Sequence, residues 1–176
     1  VENALADGII KNRASWGCAV VMEVKTGKVK AIANLHYDSI NNRLNEYYNY
    51  AIGTHIEPGS TFKLASLISG LEDKKFNIND IVNTNNGVYK FYDKEINDSK
   101  KGGYGELSIA DAFIKSSNVF SKIINDSYGN NPWSFIDRIY KLGLEEPLDL
   151  DIPYSNNLFV NNPSEKNWSG ISLPYM

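Results

Sequence analysis

The run Glu57-Pro58-Gly59-Ser60-Thr61-Phe62-Lys63 constrains this chain more than any other, because it sets a serine at a helix start and a lysine one turn further on. Pro58 and Gly59 form a turn, and the apolar residues Phe62, Ala65, Leu67, Ile68 and Leu71 then recur at the spacing of a helix with one buried face. The predicted helix runs from about Ser60 to Leu71. Three residues apart on it, Ser60 and Lys63 share a side and can touch. A serine hydroxyl attacks poorly until a neighbouring base takes its proton, and a lysine can be that base only when burial or nearby positive charge lowers its pKa. The start of the helix also leaves N–H groups free, one of which can face a developing oxyanion.

By itself S-x-x-K also describes an N-cap serine followed by a solvated lysine, so a second element has to accompany it. Residues 107–118, Leu-Ser-Ile-Ala-Asp-Ala-Phe-Ile-Lys-Ser-Ser-Asn, supply one. Ser108 with Asp111 resembles a capping box for a helix near 108–115. A further helix is predicted near 118–127, which leaves Ser116-Ser117-Asn118 in the turn between the two, where side chains can point into a cleft. S-x-N also occurs at Ser39/Asn41 and Ser155/Asn157, in stretches that read as loops, so order and flanking residues decide.

Ser60/Lys63 in E-P-G-S-T-F-K, followed by Ser116/Asn118 in K-S-S-N, resembles the first and second active-site motifs of penicillin-binding proteins. The β-rich runs Trp16 to Val24 and Lys28 to Asn34 resemble that domain's opening hairpin, and the resemblance extends from about residue 12 to the end. E-P-G-S-T-F-K is similar to the class B, monofunctional transpeptidases of cell elongation and division. The resemblance implies an α/β (α+β) fold, a five-stranded antiparallel sheet flanked by helices, with the first strand paired to the last. One departure matters: the family's third motif, K-[TS]-G, lies on a later strand, and nothing downstream of Asn118 matches it. Lys25-Thr26-Gly27 does match but precedes the serine, between two β-rich runs where Gly27 reads as a hairpin turn. The expectation is that residues 1–176 form the N-terminal part of a single transpeptidase domain, truncated before the third motif. Such a piece would be catalytically incomplete and would present its first strand as an apolar edge.

What the resemblance implies for the chemistry is an acyl-enzyme. Ser60 would attack the carbonyl between two D-alanines of a peptidoglycan stem peptide, Lys63 would take its proton, and an amine of a second stem peptide would resolve the ester into a cross-link. Ser116 would relay a proton to the leaving nitrogen, and Asn118 would hold the substrate amide and the lysine, so Ser116 and Asn118 are both catalytic and substrate-binding candidates. β-Lactams would acylate Ser60. Other cell-wall synthesis or division proteins are candidate partners, and the place of work would be the extracytoplasmic face of the membrane, held there by an N-terminal anchor outside this chain. A class D β-lactamase or a β-lactam-sensing receptor domain shares S-T-F-K, but those families carry S-x-V as second motif. A non-catalytic scaffold with the same fold is the alternative from another class.

The remaining residues add exclusions. With 176 residues and 42% hydrophobic content the chain can bury a core. A net charge of −3 with Lys and Arg scattered argues against a nucleic-acid surface. Cys18, the single cysteine, alternates within an apolar strand and is expected to be a buried small side chain. No apolar stretch approaches the length of a membrane span, and no signal peptide is recognisable. His36 and His55 lack the paired spacing of a metal site, so no metal or cofactor is expected. Tyr47, Tyr48, Tyr50, Phe91, Tyr92 and Tyr104 can line a groove or pack, and Trp16, Trp133 and Trp168 are assigned to packing. Elsewhere the pattern predicts a helix near 2–12, a polar connection through Tyr50, and a surface excursion over 77–106 with short strands at Ile81-Val82 and Val88–Tyr92. A helix capped by Asn131-Pro132 should end at Gly143, and the tail from Glu145 reads as extended loop.

Overall fold

The computed structural model describes residues 1–54, 56–91, 94–144, 146 and 151–152. The chain divides into two compact units, residues 1–56 with 148–158, and residues 57–147 with 159–176.

In the first unit, helix α1 (Glu2–Asn12) ends at Arg13 in the left-handed conformation and leads into strand β1 (Trp16–Met22). Strand β2 (Val29–Asp38) pairs antiparallel with β1, and β3 (Arg43–Asn45) pairs with the far end of β2, giving a sheet of order β1-β2-β3. The predicted polar connection through Tyr50 thus contains β3 and the short helix α2 (Tyr50–Gly53), which the buried Asn34 anchors by accepting a hydrogen bond from the Ala51 N–H at 3.1 Å. Ile9, Ala33, Leu35 and Ile52 form the buried apolar centre. Trp16 stacks on Tyr50 with ring centroids 4.4 Å apart.

Cys18 is exposed, contrary to expectation. Alternation along a strand defines two faces but not which one is covered. Gly17 lies against α1, where an added Cβ would sit 3.1 Å from Leu5 Cδ1. Cys18 points to the opposite face with Val20 and Met22, both exposed. Among the described residues the other edge of β1 has no strand partner.

The strands β1 and β2 are joined by the turn that contains Lys25-Thr26-Gly27. Glu23 N–H donates to Lys28 O at 2.9 Å, Gly27 N–H donates to Glu23 O at 2.9 Å, and the Thr26 hydroxyl donates to the Glu23 carboxylate. Gly27 has φ +70°, a conformation that favours glycine. All three residues are exposed, and Thr26 and Gly27 bond within the turn. If Ser60 is the serine acylated by β-lactams that the motifs imply, Lys25→Ala and Thr26→Ala are expected to leave that acylation within a few fold of wild type, since exposed substitutions of this kind change stability by about 0.5 kcal/mol or less. A loss as large as that of a nucleophile variant, measured as a second-order labelling rate, would show that this K-T-G belongs to the site.

The second unit holds the larger core. A 3₁₀ turn (Gly59–Phe62) runs into helix α3 (Lys63–Glu72), so the predicted single helix from Ser60 begins as 3₁₀ and becomes α-helical at Lys63. Residues 77–106 contain more structure than expected: β4 (Ile81–Asn83), β5 (Val88–Phe91), β6 (Lys94–Asn97) and β7 (Glu106–Ser108) pair antiparallel as β4-β7 and β5-β6. The segment is more than a surface excursion, because Tyr89, Phe91 and Ile96 belong to the same core as Phe120, Ile124 and Phe135. Helices α4 (Ile109–Ile114), α5 (Val119–Tyr128) and α6 (Pro132–Lys141) follow as predicted. Ser108 caps α4 by accepting from Asp111 N at 3.0 Å, while its hydroxyl donates to the Asp111 carboxylate at 2.8 Å. The α6 residues Phe135, Ile136 and Ile139 are almost wholly buried, and Arg138 on the same helix reaches Glu72 Oε2 at 2.9 Å and the Asp73 carboxylate at the end of α3. The expected tail beyond Glu145 lies almost entirely outside the described residues.

Candidate active site

Two segments more than fifty residues apart in sequence meet in the second unit. Ser60 sits in the 3₁₀ turn and Lys63 opens α3, and because side chains three apart eclipse in 3₁₀ geometry the pair is aligned. Lys63 Nζ is 3.3 Å from Ser60 Oγ. No side chain caps the turn at Pro58, which leaves its first N–H groups unclaimed by a cap. From the other direction, α4 ends at Lys115 and the chain turns sharply at Ser116, with φ +52°. That turn aims the Ser116 carbonyl and hydroxyl at Lys63 Nζ, at 2.7 and 3.2 Å, and Asn118 Oδ1 approaches the same nitrogen at 2.8 Å. The Asn118 amide is oriented by its Nδ2 donating to Asn97 O at 2.8 Å. The other three predicted residues, Ser60, Ser116 and Asn118, therefore converge on the Lys63 amine.

The donor count around that amine is informative. An ammonium has three protons for these four oxygens, whereas a neutral amine has two N–H groups and one lone pair. Ser116 O and Asn118 Oδ1 can only accept, and they are also the shortest contacts, so they take the two N–H groups. The lone pair then faces two hydroxyls, Ser60 Oγ and Ser116 Oγ, either of which can donate to it. Half-burial of Lys63 works in the same direction: desolvation lowers its pKa from the ordinary lysine value, opposed by the negative charge of Asp98. Such an arrangement can serve as a base beside a hydroxyl nucleophile.

Asp98 was not foreseen from the sequence. It is buried, its Oδ1 and Oδ2 each lie 3.0 Å from the Ser117 hydroxyl that donates to them, and it accepts from Asn118 N at 2.5 Å and from the Tyr89 hydroxyl at 3.0 Å. Burial pushes the Tyr89 phenol up to about 12, so it stays protonated and able to donate. The loop that carries Asp98 is fixed by a close backbone approach. Asp98 N–H donates to Gly87 O at 2.8 Å, and a Cβ on Gly103 would sit 2.4 Å from Gly87 N, which only glycine permits.

Other candidates fall away. Ser39 and Asn41 lie in an exposed turn organised by Asp38, while Ser155/Asn157, His55, Tyr92 and Trp168 are outside the described residues. His36 Nδ1 contacts the Tyr50 hydroxyl at 3.2 Å, and among the described residues no group of acidic, histidine or cysteine side chains could hold a metal. Tyr47, Tyr48 and Tyr50 pack together in the first unit, and Phe91 is buried in the core of the second.

Residues 17–174 match the penicillin binding protein transpeptidase domain. The chain belongs to the penicillin-binding-protein transpeptidase family. It is 27% identical, over 98% of its length, to the probable peptidoglycan D,D-transpeptidase PbpC of Pseudomonas aeruginosa, and 28% identical, over 97% of its length, to the peptidoglycan D,D-transpeptidase FtsI of Escherichia coli K12. It spans 30% and 28% of those two proteins. Among solved structures it resembles a peptidoglycan glycosyltransferase from Burkholderia ambifaria, with TM-score 0.77, 25% identity, and coverage of 98% of this chain and 50% of that one. The transpeptidase domain of Burkholderia pseudomallei penicillin-binding protein 3 superposes with TM-score 0.76 at 24% identity, covering 98% of this chain and 47% of that one, and shares the fold. The mixed helix and antiparallel-strand architecture expected from the motifs is thus the penicillin-binding-protein transpeptidase fold.

Proposed function

We propose that this penicillin-binding-protein chain carries the acylating half of a serine D,D-transpeptidase of class B. The observation that carries the reading is the Lys63 amine held between the Ser60 hydroxyl and the Ser116–Asn118 turn. Ser60 Oγ attacks the carbonyl of the D-Ala-D-Ala bond as its proton passes to neutral Lys63. The C–N bond then breaks, the proton moves through Ser116 to the departing D-alanine nitrogen, and an ester remains on Ser60. An amine from a neighbouring stem peptide attacks that ester, gives up one of its own protons by way of Lys63 to Ser60 Oγ as the C–O bond breaks, and is left joined to the first stem peptide by an amide. Proton transfer of this kind contributes about 10²–10⁴ in rate. The Ser60 N–H forms one arm of the oxyanion hole. The other arm belongs to a K-[TS]-G strand, which we place in a further part of the same domain that this chain does not include.

The substrate is then a peptidoglycan stem peptide, β-lactams are inhibitors, and the domain works outside the cytoplasmic membrane with other wall-synthesis proteins as neighbours. Among the described residues no helix is long and apolar enough to cross a membrane. The hydrolase reading, a class D β-lactamase or its receptor relatives, is disfavoured by Asn118, whose amide both accepts from Lys63 and anchors on Asn97. With a chromogenic cephalosporin, the full-length protein is expected to give one stoichiometric burst and a long-lived adduct on intact-mass analysis. Sustained rapid turnover would assign it to the hydrolases.

A further inference from the structure

The Ser116–Asn118 turn needs something to hold it. Ser116 carries a positive φ without being glycine, which is sparsely populated and persists only where the surroundings fix it. Ser117, the middle residue, points away from Lys63 and is 1% exposed. Its hydroxyl donates to Asp98 and accepts from Val119 N–H at 3.2 Å, so it ties the start of α5 to the carboxylate. Asp98 also takes the Asn118 N–H directly, and Tyr89 from β5 satisfies the same carboxylate from the core side.

We propose that Asp98 is a positioning residue of this site: through Ser117 and the Asn118 N–H, its carboxylate holds the turn that brings Ser116 and Asn118 onto Lys63. The inference rests on the acyl-transfer reading above but concerns a residue that touches neither the nucleophile nor its base. It gives the middle serine of K-S-S-N a job, since any side chain unable to bridge Asp98 and Val119 would leave buried polar groups unpaired. It also gives the carboxylate a second effect, because its charge favours the protonated form of Lys63. The titratable groups that face this cluster among the described residues are Tyr89 from β5 and Lys63 from α3, while the turn itself and α5 present only Ser117 and Asn118 to the carboxylate.

The test uses full-length protein with Asp98→Asn and Asp98→Ala, followed by fluorescent-penicillin acylation across pH and by NMR of [13Cε]lysine-labelled protein, with Lys63→Arg assigning the Lys63 signal. Asp98→Ala is expected to slow acylation about 10²-fold, the cost of misplacing catalytic groups by roughly an ångström. Asp98→Asn keeps one acceptor oxygen and removes the charge. It should lose less, and the Lys63 titration midpoint and the acid limb of its rate profile should both move down, because the charge that favours the ammonium is gone. The Asn variant would then gain on wild type as pH falls, which a merely structural loss cannot produce. An unmoved Lys63 midpoint with a pH-independent rate loss, or no loss in either variant, overturns the proposal. If the Ala variant does not fold, the Asn variant alone decides. If wild type is not labelled at Ser60, the acyl-transfer reading fails, and the Lys63 midpoint still judges Asp98.

Discussion

Ser60→Ala in the full-length protein is expected to abolish covalent labelling by a fluorescent penicillin, a loss on the order of 10⁶-fold where a serine nucleophile has been removed from another acyl-transfer enzyme. The result is not foregone, because two hydroxyls compete for the same amine. Ser116 Oγ lies 3.2 Å from Lys63 Nζ and Ser60 Oγ lies 3.3 Å away, so distance does not separate them. Position does. Ser60 stands in a 3₁₀ turn with no side-chain cap, where its own N–H can meet the oxyanion that its attack creates. Ser116 stands after a helix C-terminus, and its N–H is already given to Phe113 O at 2.9 Å. Ser117 is excluded by burial and by its bond to Asp98. Peptide mapping of the labelled protein should place the adduct on Ser60, and an adduct on Ser116 would exchange the two roles.

Most of this site was legible because its parts are local. A serine and a lysine three apart meet in an α-helix or in a 3₁₀ turn, so mistaking one for the other at Ser60 did no harm. The Ser108–Asp111 cap and the Asn131-Pro132 start gave α4 and α6 for the same reason. Asp98 was illegible because Asn97-Asp98-Ser99-Lys100-Lys101 reads as a solvated turn. Its burial is produced at a distance, by the Gly87–Gly103 approach and by Tyr89 beneath it. The strands β3, β6 and β7 are three or four residues long, and Lys94-Glu95-Ile96-Asn97 contains one apolar residue, too few for a period to emerge. Cys18 shows the converse limit: its strand was recognised, but which face α1 covers is a tertiary fact.

Lys63 should separate a base from a mere hydrogen-bond donor. Lys63→Ala removes both functions and is expected to slow acylation by about 10²–10⁴-fold. Lys63→Arg is the more decisive variant, since a guanidinium donates to Ser116 O and Asn118 Oδ1 but does not lose its proton in a protein. If Lys63 acts as base, Arg is as damaging as Ala; if it only positions the turn, Arg restores much of the rate. Wild-type acylation should rise with pH through a midpoint below the ordinary lysine value of 10.5, because desolvation favours the neutral amine. Stability carries the same signature with a fixed sign. A lysine whose folded pKa is depressed binds fewer protons folded than unfolded between its folded value and 10.5, so its contribution to stability rises with pH across that window. The burden it places on the fold is full below the folded pKa. Denaturation of wild type and Lys63→Ala at a series of pH values cancels all other titrating groups to first order. The wild-type advantage should therefore grow toward pH 10.5, and a flat difference combined with Arg rescue would remove Lys63 from the role of base.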